Sequence, residues 1–312
     1  MITVYPDSGK PVWVDLRDPS PEEIAQACSD YGLEIPPREQ LEEIEFSSRL
    51  QYDEGVFTLS VPVTPHLRNG DGDDVTSPLG FVLTKDMLVT VRFAHLHTFD
   101  AVRARVKRRP RSPEDIFLVI LEALIDYGAD RLEGLRSEAL KVSQCIFHED
   151  MQEKQKRNVS ATSRMLRGIL VQIGDMGERL SHIRDTLLVL QRTLPFVNEH
   201  GDWIEAPVKA RLKMAGKDVQ SLNDYEVHLT DKIQFLLDAA LGFITAEQND
   251  LFKVMTIWSL AGIPPVLCAG IWGMNFHFMP ELSSPYGYPL ALLTILVSIL
   301  LPLGWFKYRG WW

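Results

Sequence analysis

Between Val254 and Phe306 the chain runs for 53 residues with one formal charge, Glu281. No other feature constrains its fold as strongly. Two stretches inside it, Val254–Trp272 with 19 residues and Pro289–Phe306 with 18, carry no charge at all. At 1.5 Å rise per residue, helices of these lengths reach roughly 27–30 Å, which matches the hydrocarbon core of a bilayer. Two adjacent uncharged spans with polar flanks read as a transmembrane hairpin, and the competing reading is a pair of buried core helices. The mean hydropathy of −0.04 hides this division, because every other formal charge lies outside the segment. A large charged body joined to a small apolar end argues against an ordinary soluble enzyme.

The basic residues orient the hairpin. Lys253 precedes the first span, Lys307 and Arg309 follow the second, and the linker 273–288 has neither Lys nor Arg. Basic residues stay on the cytoplasmic side, so both termini and the charged body are expected there, with the linker outside. Trp272 and Trp305 fall where an interfacial aromatic belt belongs. The opening residues MITVYPDSGK show no basic stretch followed by an apolar one, so no signal peptide is visible. With 42 acidic against 32 basic residues, the net charge of −10 argues against nucleic acid as a partner and suits attraction of cations. Three scattered cysteines, Cys28, Cys145 and Cys268, imply no disulfide framework and fit a reducing compartment.

The chain divides into three expected parts: an α/β domain over 1–111, a long-helix stalk domain over 112–250, and the transmembrane hairpin over 251–312. Strand signals lie at Val12–Leu16, Val56–Val63, Leu79–Leu83 and Met87–Phe93, with a turn cluster at Asn69–Asp74. Ser20-Pro21-Glu22-Glu23 opens a helix with a capping hydroxyl, a proline at the first position and acids near the positive end. Ser112-Pro113-Glu114-Asp115 repeats that arrangement, and strand signals then stop. Apolar residues at three- and four-residue steps, such as Met165, Ile169, Ile173 and Met176, predict two or three long helices with a break around Pro195–Pro207. The last one is expected to start after Pro207 and run without interruption into the apolar segment.

Two helices cannot enclose a pore, so conduction requires several copies around a shared axis. At 100° per residue, one arc of the last long helix collects Asp238, Leu241, Thr245, Asn249, Phe252, Thr256, Ser259, Ile263, Val266 and Gly270. In a symmetric assembly each polar member becomes a ring of oxygens and each apolar member a constriction that closes by dewetting. The alternative is that Thr256 and Ser259 only hydrogen-bond to their own backbone carbonyls.

Directly after the first span comes Gly273-Met274-Asn275, then Met279-Pro280-Glu281-Leu282, and Gly287-Tyr288-Pro289 opens the second span. In this order and at this place the motifs resemble the CorA family of divalent-cation channels, with its GMN triplet and MPEL loop. The likeness extends back through Pro264-Pro265 and Asn249 to Leu236-Leu237-Asp238, about 75 residues in all. The resemblance implies a homopentamer in a bacterial inner membrane, with a funnel-shaped cytoplasmic domain and the first transmembrane helix lining the pore. It implies that Gly273, Met274 and Asn275 form the external pore mouth. Asn249 would supply a second polar ring, Asp238 an acidic ring further in, and Met255 a hydrophobic gate. Glu281 would gather cations outside. Mg²⁺ gives up its water reluctantly, so neutral Asn oxygens suit its hydration shell.

Two positions depart from the family pattern. Val266 stands where Thr is usual, nine residues before Asn275, and His277 stands where Glu is common. A ring of imidazoles is softer and suits Zn²⁺, Co²⁺ or Ni²⁺ better than Mg²⁺. His277 also reads simply as an exposed loop residue. The resemblance further implies regulatory divalent ions held between neighbouring cytoplasmic domains, for which Asp218, Asp224 and Asp231 are the candidates. The reading is therefore a Mg²⁺ channel driven by membrane potential, with divalent cations as substrate and regulator and no covalent cofactor. A Zn²⁺ transporter, proton-coupled or not, and a membrane-anchored structural or signalling stalk are the alternatives.

Other signals are weaker. The basic run Arg103, Arg105, Lys107, Arg108, Arg109 and Arg111 reads as a solvated segment between domains. His95 and His97 alternate near a strand end without an evident third ligand, and Asp71, Asp73 and Asp74 read as a hairpin turn. There is no GxxxxGK[ST] and no nucleophile–base constellation, so no enzyme is expected.

Overall fold

The computed structural model describes residues 1–6, 10–65, 76–107, 111–147, 159–274 and 286–310. The Asn69–Asp74 cluster, Asn275, His277 and Glu281 lie outside them. The chain forms two compact units, Met1–Leu237 and Asp238–Trp312. Its fold is an N-terminal α/β portion, long helices, and two apolar C-terminal helices.

The first unit is built on a six-stranded sheet of order β1-β2-β6-β5-β4-β3. Its strands are β1 (Ile2–Tyr5), β2 (Trp13–Arg17), β3 (Leu50–Asp53), β4 (Val56–Val63), β5 (Ser77–Leu83) and β6 (Leu88–Arg92). Among the described residues only β2 and β6 pair in parallel. Every residue of β5 and β6 is buried, because both faces of the sheet centre are covered. The sequence pattern anticipated the four inner strands. β1 and β3 were not anticipated, being four-residue edge strands (ITVY and LQYD) without a repeating apolar pattern. β3 and β4 form a hairpin across Glu54-Gly55, both at positive φ (44° and 86°), a turn for which glycine is well suited.

The short helices are α1 (Pro21–Tyr31), α2 (Arg38–Leu41), α3 (Phe46–Arg49) and α4 (His97–Val106). α1 begins as its sequence dictates. The Glu23 amide donates to Ser20 Oγ at 3.2 Å, and the Ser20 amide donates to Glu23 Oε2 at 3.1 Å. The Ser20 hydroxyl also holds the neighbouring Glu22 carboxyl below its usual range. α4 is fixed to the sheet by a buried ion cluster around Asp15. Arg92 Nη2 donates to Asp15 Oδ2 at 2.9 Å, Thr90 Oγ1 donates to Oδ1 at 2.9 Å, and Arg103 of α4 pairs with the same carboxylate. The basic run is thus more than a solvated segment. Arg103 neutralises Asp15, Arg111 bonds Asp115 at 2.7 Å, and Arg108 and Arg109 lie outside the described residues.

Three long helices follow: α5 (Pro113–Phe147), α6 (Val159–His200) and α7 (Ala206–Trp272). Each buries a stripe at three- and four-residue steps. On α6 it reads Leu166, Ile169, Ile173, Met176, Leu180, Ile183 and Leu187. Met165 is exposed, and Leu166, three residues before Ile169, takes its place. The expected break is narrower than Pro195–Pro207. Pro195 stays inside α6, the chain leaves the helix after His200, and Pro207 sits in the first turn of α7. Thr186 of α6 donates to the Pro62 carbonyl at 2.7 Å, docking that helix on β4. Arg211 of α7 bonds Glu122 and Asp115 of α5 at 2.7 and 2.6 Å, which holds its guanidinium above the ordinary arginine range.

The second unit contains the C-terminal part of α7 and α8 (Gly287–Tyr308). Both are long and apolar enough to cross a membrane, and their most apolar stretches are 0% and 6% buried. Core helices of a soluble domain would be mostly buried, so the exposure of this much apolar surface removes that competing reading.

Candidate functional site

The site is built on one face of α7. Pro264 and Pro265 lie inside the helix, and α7 continues past them to Trp272. Its half-buried apolar-end residues are Ile257, Ala261, Pro264, Pro265, Cys268 and Trp272, at three- or four-residue steps apart from the adjacent prolines. Ala291, Ile295, Ser298, Ile299, Pro302 and Leu303 of α8 are half-buried at matching intervals, and Phe306 is buried. A gap lined by Ile257, Ala261 and Pro265 on one side and Ile299 and Leu303 on the other marks where the two helices face each other.

The arc expected from periodicity lies elsewhere. Asp238, Leu241, Thr245, Asn249, Phe252, Thr256, Ser259, Ile263, Val266 and Gly270 are all exposed in the single chain. Counted at 100° per residue, the arc is centred about 160° from the face that meets α8. Met255 is exposed at the arc's edge. The apolar end of α7 therefore has one side facing α8 and the opposite side, which carries Thr256 and Ser259, left open.

The hydroxyls on that side have defined roles. Thr256 Oγ1 donates to the Phe252 carbonyl at 2.7 Å, and Thr245 Oγ1 donates to the Leu241 carbonyl at 2.9 Å. Backbone bonding and pore lining are thus compatible. A hydroxyl that has donated its hydrogen still offers lone pairs, and these accept from the water shell of a cation. α8 differs. Thr294 and Ser298 bond back to Leu290 and Ile295, while Leu292, Leu293, Leu296, Val297 and Leu300 are exposed around them. That surface suits lipid chains.

At the end of α7, Gly273 donates its amide to the Ala269 carbonyl at 2.9 Å and Met274 to Ile271 at 3.3 Å. A Cβ on Gly273 would stand 3.1 Å from the Ala269 oxygen, so this first residue of the triplet allows the chain to close tightly on the helix end. Asn275, His277 and Glu281 follow outside the described residues.

The three acidic candidates on α7 do not share one setting. Asp224 and Asp231, seven residues apart, lie exposed on one face. Asp218 lies about 120° around the helix, in a groove of about 360 Å³ with Glu122, Asp126, Arg105 and Arg211. Among the described residues, the one group of three metal-ligating side chains is His95, His97 and Asp100, in the first unit.

Comparisons with known proteins cover nearly the whole chain. A family described as "CorA-like Mg2+ transporter protein" matches residues 8–308. The chain is 32% identical over 312 residues to a Campylobacter jejuni protein named "Magnesium transport protein CorA", covering 96% of this chain and 91% of that one. It is 29% identical over 303 residues to a Salmonella typhimurium protein of the same name, covering 96% and 92%. Its fold matches a solved structure described as the complete CorA magnesium transporter from Methanocaldococcus jannaschii. That match has a TM-score of 0.73 at 18% identity and covers 96% of this chain and 91% of that one.

Proposed function

The chain belongs to the CorA-like Mg²⁺ transporter family, and from that premise we propose that several copies of it, five by family resemblance, form a channel for hydrated divalent cations, Mg²⁺ first. The arrangement lies in the bacterial inner membrane, with both termini and the first unit in the cytoplasm. The observation that carries this reading is the division of α7 into two sides. One side meets α8, and the opposite side exposes Asn249, Thr256 and Ser259 among apolar residues. Copies that bring these open sides together stack rings of neutral oxygen along an axis, separated by the dry rings of Phe252, Ile263 and Val266.

Neutral oxygens bind the hydration shell without stripping it and without holding a dication too tightly to release. Asn275 of the triplet forms the outer mouth and Asp238 an acidic ring at the other end. Glu281 raises the local cation concentration outside. A dication moving inward gains about 4.6 kcal/mol per 100 mV of membrane potential, so uptake needs no ATP site. Regulation falls to the first unit, with Asp224 and Asp231 placed to pair with acids of a neighbouring copy. A divalent ion there cancels like-charge repulsion and favours the packed, closed form.

A second reading within the family is transport of Zn²⁺, Co²⁺ or Ni²⁺, favoured by the imidazole of His277 and by Val266 where a hydroxyl would hold water. Flux into proteoliposomes at fixed membrane potential decides between the two, measured for Mg²⁺ and Zn²⁺ with and without a proton gradient. Potential-driven Mg²⁺ entry is expected. Zn²⁺ entry without Mg²⁺ entry supports the second reading, and no flux of either ion leaves the hairpin as an anchor.

A further inference from the structure

His95, His97 and Asp100 sit where β6 hands over to α4, and the function above does not use them. His95 Nε2 lies 3.6 Å from Asp100 Oδ2, and His97 Nδ1 lies 3.9 Å from the same oxygen. The two imidazole rings meet edge to face at 4.9 Å between centroids. One ligand atom from each of the three residues falls within 4.8 Å of the other two. We propose that these three side chains form a binding site for a transition-metal dication of the Zn²⁺ class, joining the β6–α4 loop to the first turn of α4.

The distances fit such an ion. With bonds of about 2.0–2.2 Å in tetrahedral geometry, neighbouring ligand atoms around zinc stand roughly 3.3 Å apart. The His–Asp separations of 3.6 and 3.9 Å are slightly wider than that, and all three ligand atoms stand within 4.8 Å of one another, so rotations of these exposed side chains close the site. Two imidazoles and one carboxylate supply three ligands and leave a fourth position for water. The side chains are 49%, 57% and 55% exposed, so ion and water reach the site from solvent.

The backbone beneath is already fixed. Leu96, between the two histidines, is buried, and the Phe99 amide donates to its carbonyl at 3.0 Å. Arg92 stands over the Phe99 ring at 4.6 Å and bonds Asp15, which also binds Arg103 one helical turn beyond Asp100. The ion therefore meets ligands carried on a rigid frame. The donor set also separates this site from the pore. Imidazole nitrogens favour Zn²⁺, Ni²⁺ and Co²⁺, whereas Mg²⁺ prefers an oxygen shell. The first unit thus binds a different ion from the one assigned to the pore.

The test is a Zn²⁺ binding titration on the purified full-length chain in detergent, with millimolar Mg²⁺ present throughout. It needs no flux, so its outcome is independent of the transport reading. One Zn²⁺ per chain is expected to bind through this site, and Co²⁺ in its place gives the visible absorption of a nitrogen–oxygen coordinated ion. Losing an outer-shell partner already weakens a metal site by about 10–100-fold, so His95→Ala, His97→Ala and Asp100→Asn each weaken binding by about 100-fold. These are half-exposed positions, and an unchanged melting curve without metal shows that each variant is folded. Absence of Zn²⁺ binding to the native chain overturns the proposal. So does binding whose strength and stoichiometry are unchanged in the variants, because the zinc then sits on another part of the chain.

Discussion

One helix, α7, solves the same problem in two ways. In its first part Val208, Leu212, Ala215 and Val219, and then Leu229, Ile233, Leu236 and Ala240, are buried at three- and four-residue steps, with half-buried Leu222 and buried Glu226 between the two runs. In its last part Val254, Met255, Trp258, Leu260, Ile263, Val266, Leu267 and Ile271 are exposed. The first part finds its apolar cover within the chain. Among the described residues the last part finds only α8, on one side; in the proposed channel, lipid and further copies cover the rest. The difference shows that apolar content alone does not decide what a helix packs against; the placement of the few polar residues among the apolar ones does.

Five substitutions test this contrast: three with an expected effect, in descending order, and two controls with little effect. Asn275→Ala removes an amide oxygen ring at the outer mouth, and Mg²⁺ flux in proteoliposomes should fall by more than about tenfold with the assembly unchanged on size exclusion. Leu236→Ala empties a fully buried position of the first part. At about 2–5 kcal/mol for such a cavity, it should lower the melting temperature by on the order of 10 °C. Leu267→Ala, exposed in the last part, should leave melting in detergent within about 2 °C. Thr256→Ala removes one acceptor ring from the open side, and flux should fall about fivefold, equivalent to roughly 1 kcal/mol for one hydrogen bond. Thr294→Ala, an equally exposed hydroxyl on α8, should change flux less than about twofold. Equal effects at Thr256 and Thr294 would erase the distinction between the two outward surfaces.

Much of this arrangement was legible in the residues. The uncharged spans marked α8 and the end of α7, and helical periodicity placed Asn249, Thr256 and Ser259 on one arc. Periodicity did not show that α8 packs on the opposite side, because that depends on where Ile299 and Leu303 face Ile257 and Ala261. The edge strands β1 and β3 were illegible for a related reason: half-exposed strands of four residues lack the apolar run that buried β5 and β6 display. Pro195 read as the start of a break, yet α6 continues through it to His200. The third ligand of the histidine cluster was missed through a wrong period. His95 and His97 read as strand alternation, but His97 opens a helix, and Asp100 one turn later returns to the same side.

The central claim is that the open side of α7 faces a water-filled axis. It is tested most directly by placing single cysteines in a chain whose Cys28, Cys145 and Cys268 are replaced by serine, then treating with a cationic thiol reagent during Mg²⁺ flux. Cysteines at Thr256 and Ser259 are predicted to be modified and to block flux, whereas cysteines at Ile257 and Ala261, on the side that meets α8, are predicted to leave it unchanged. Block at Ile257 and Ala261 but not at Thr256 and Ser259, or block at none of the four, would contradict the account.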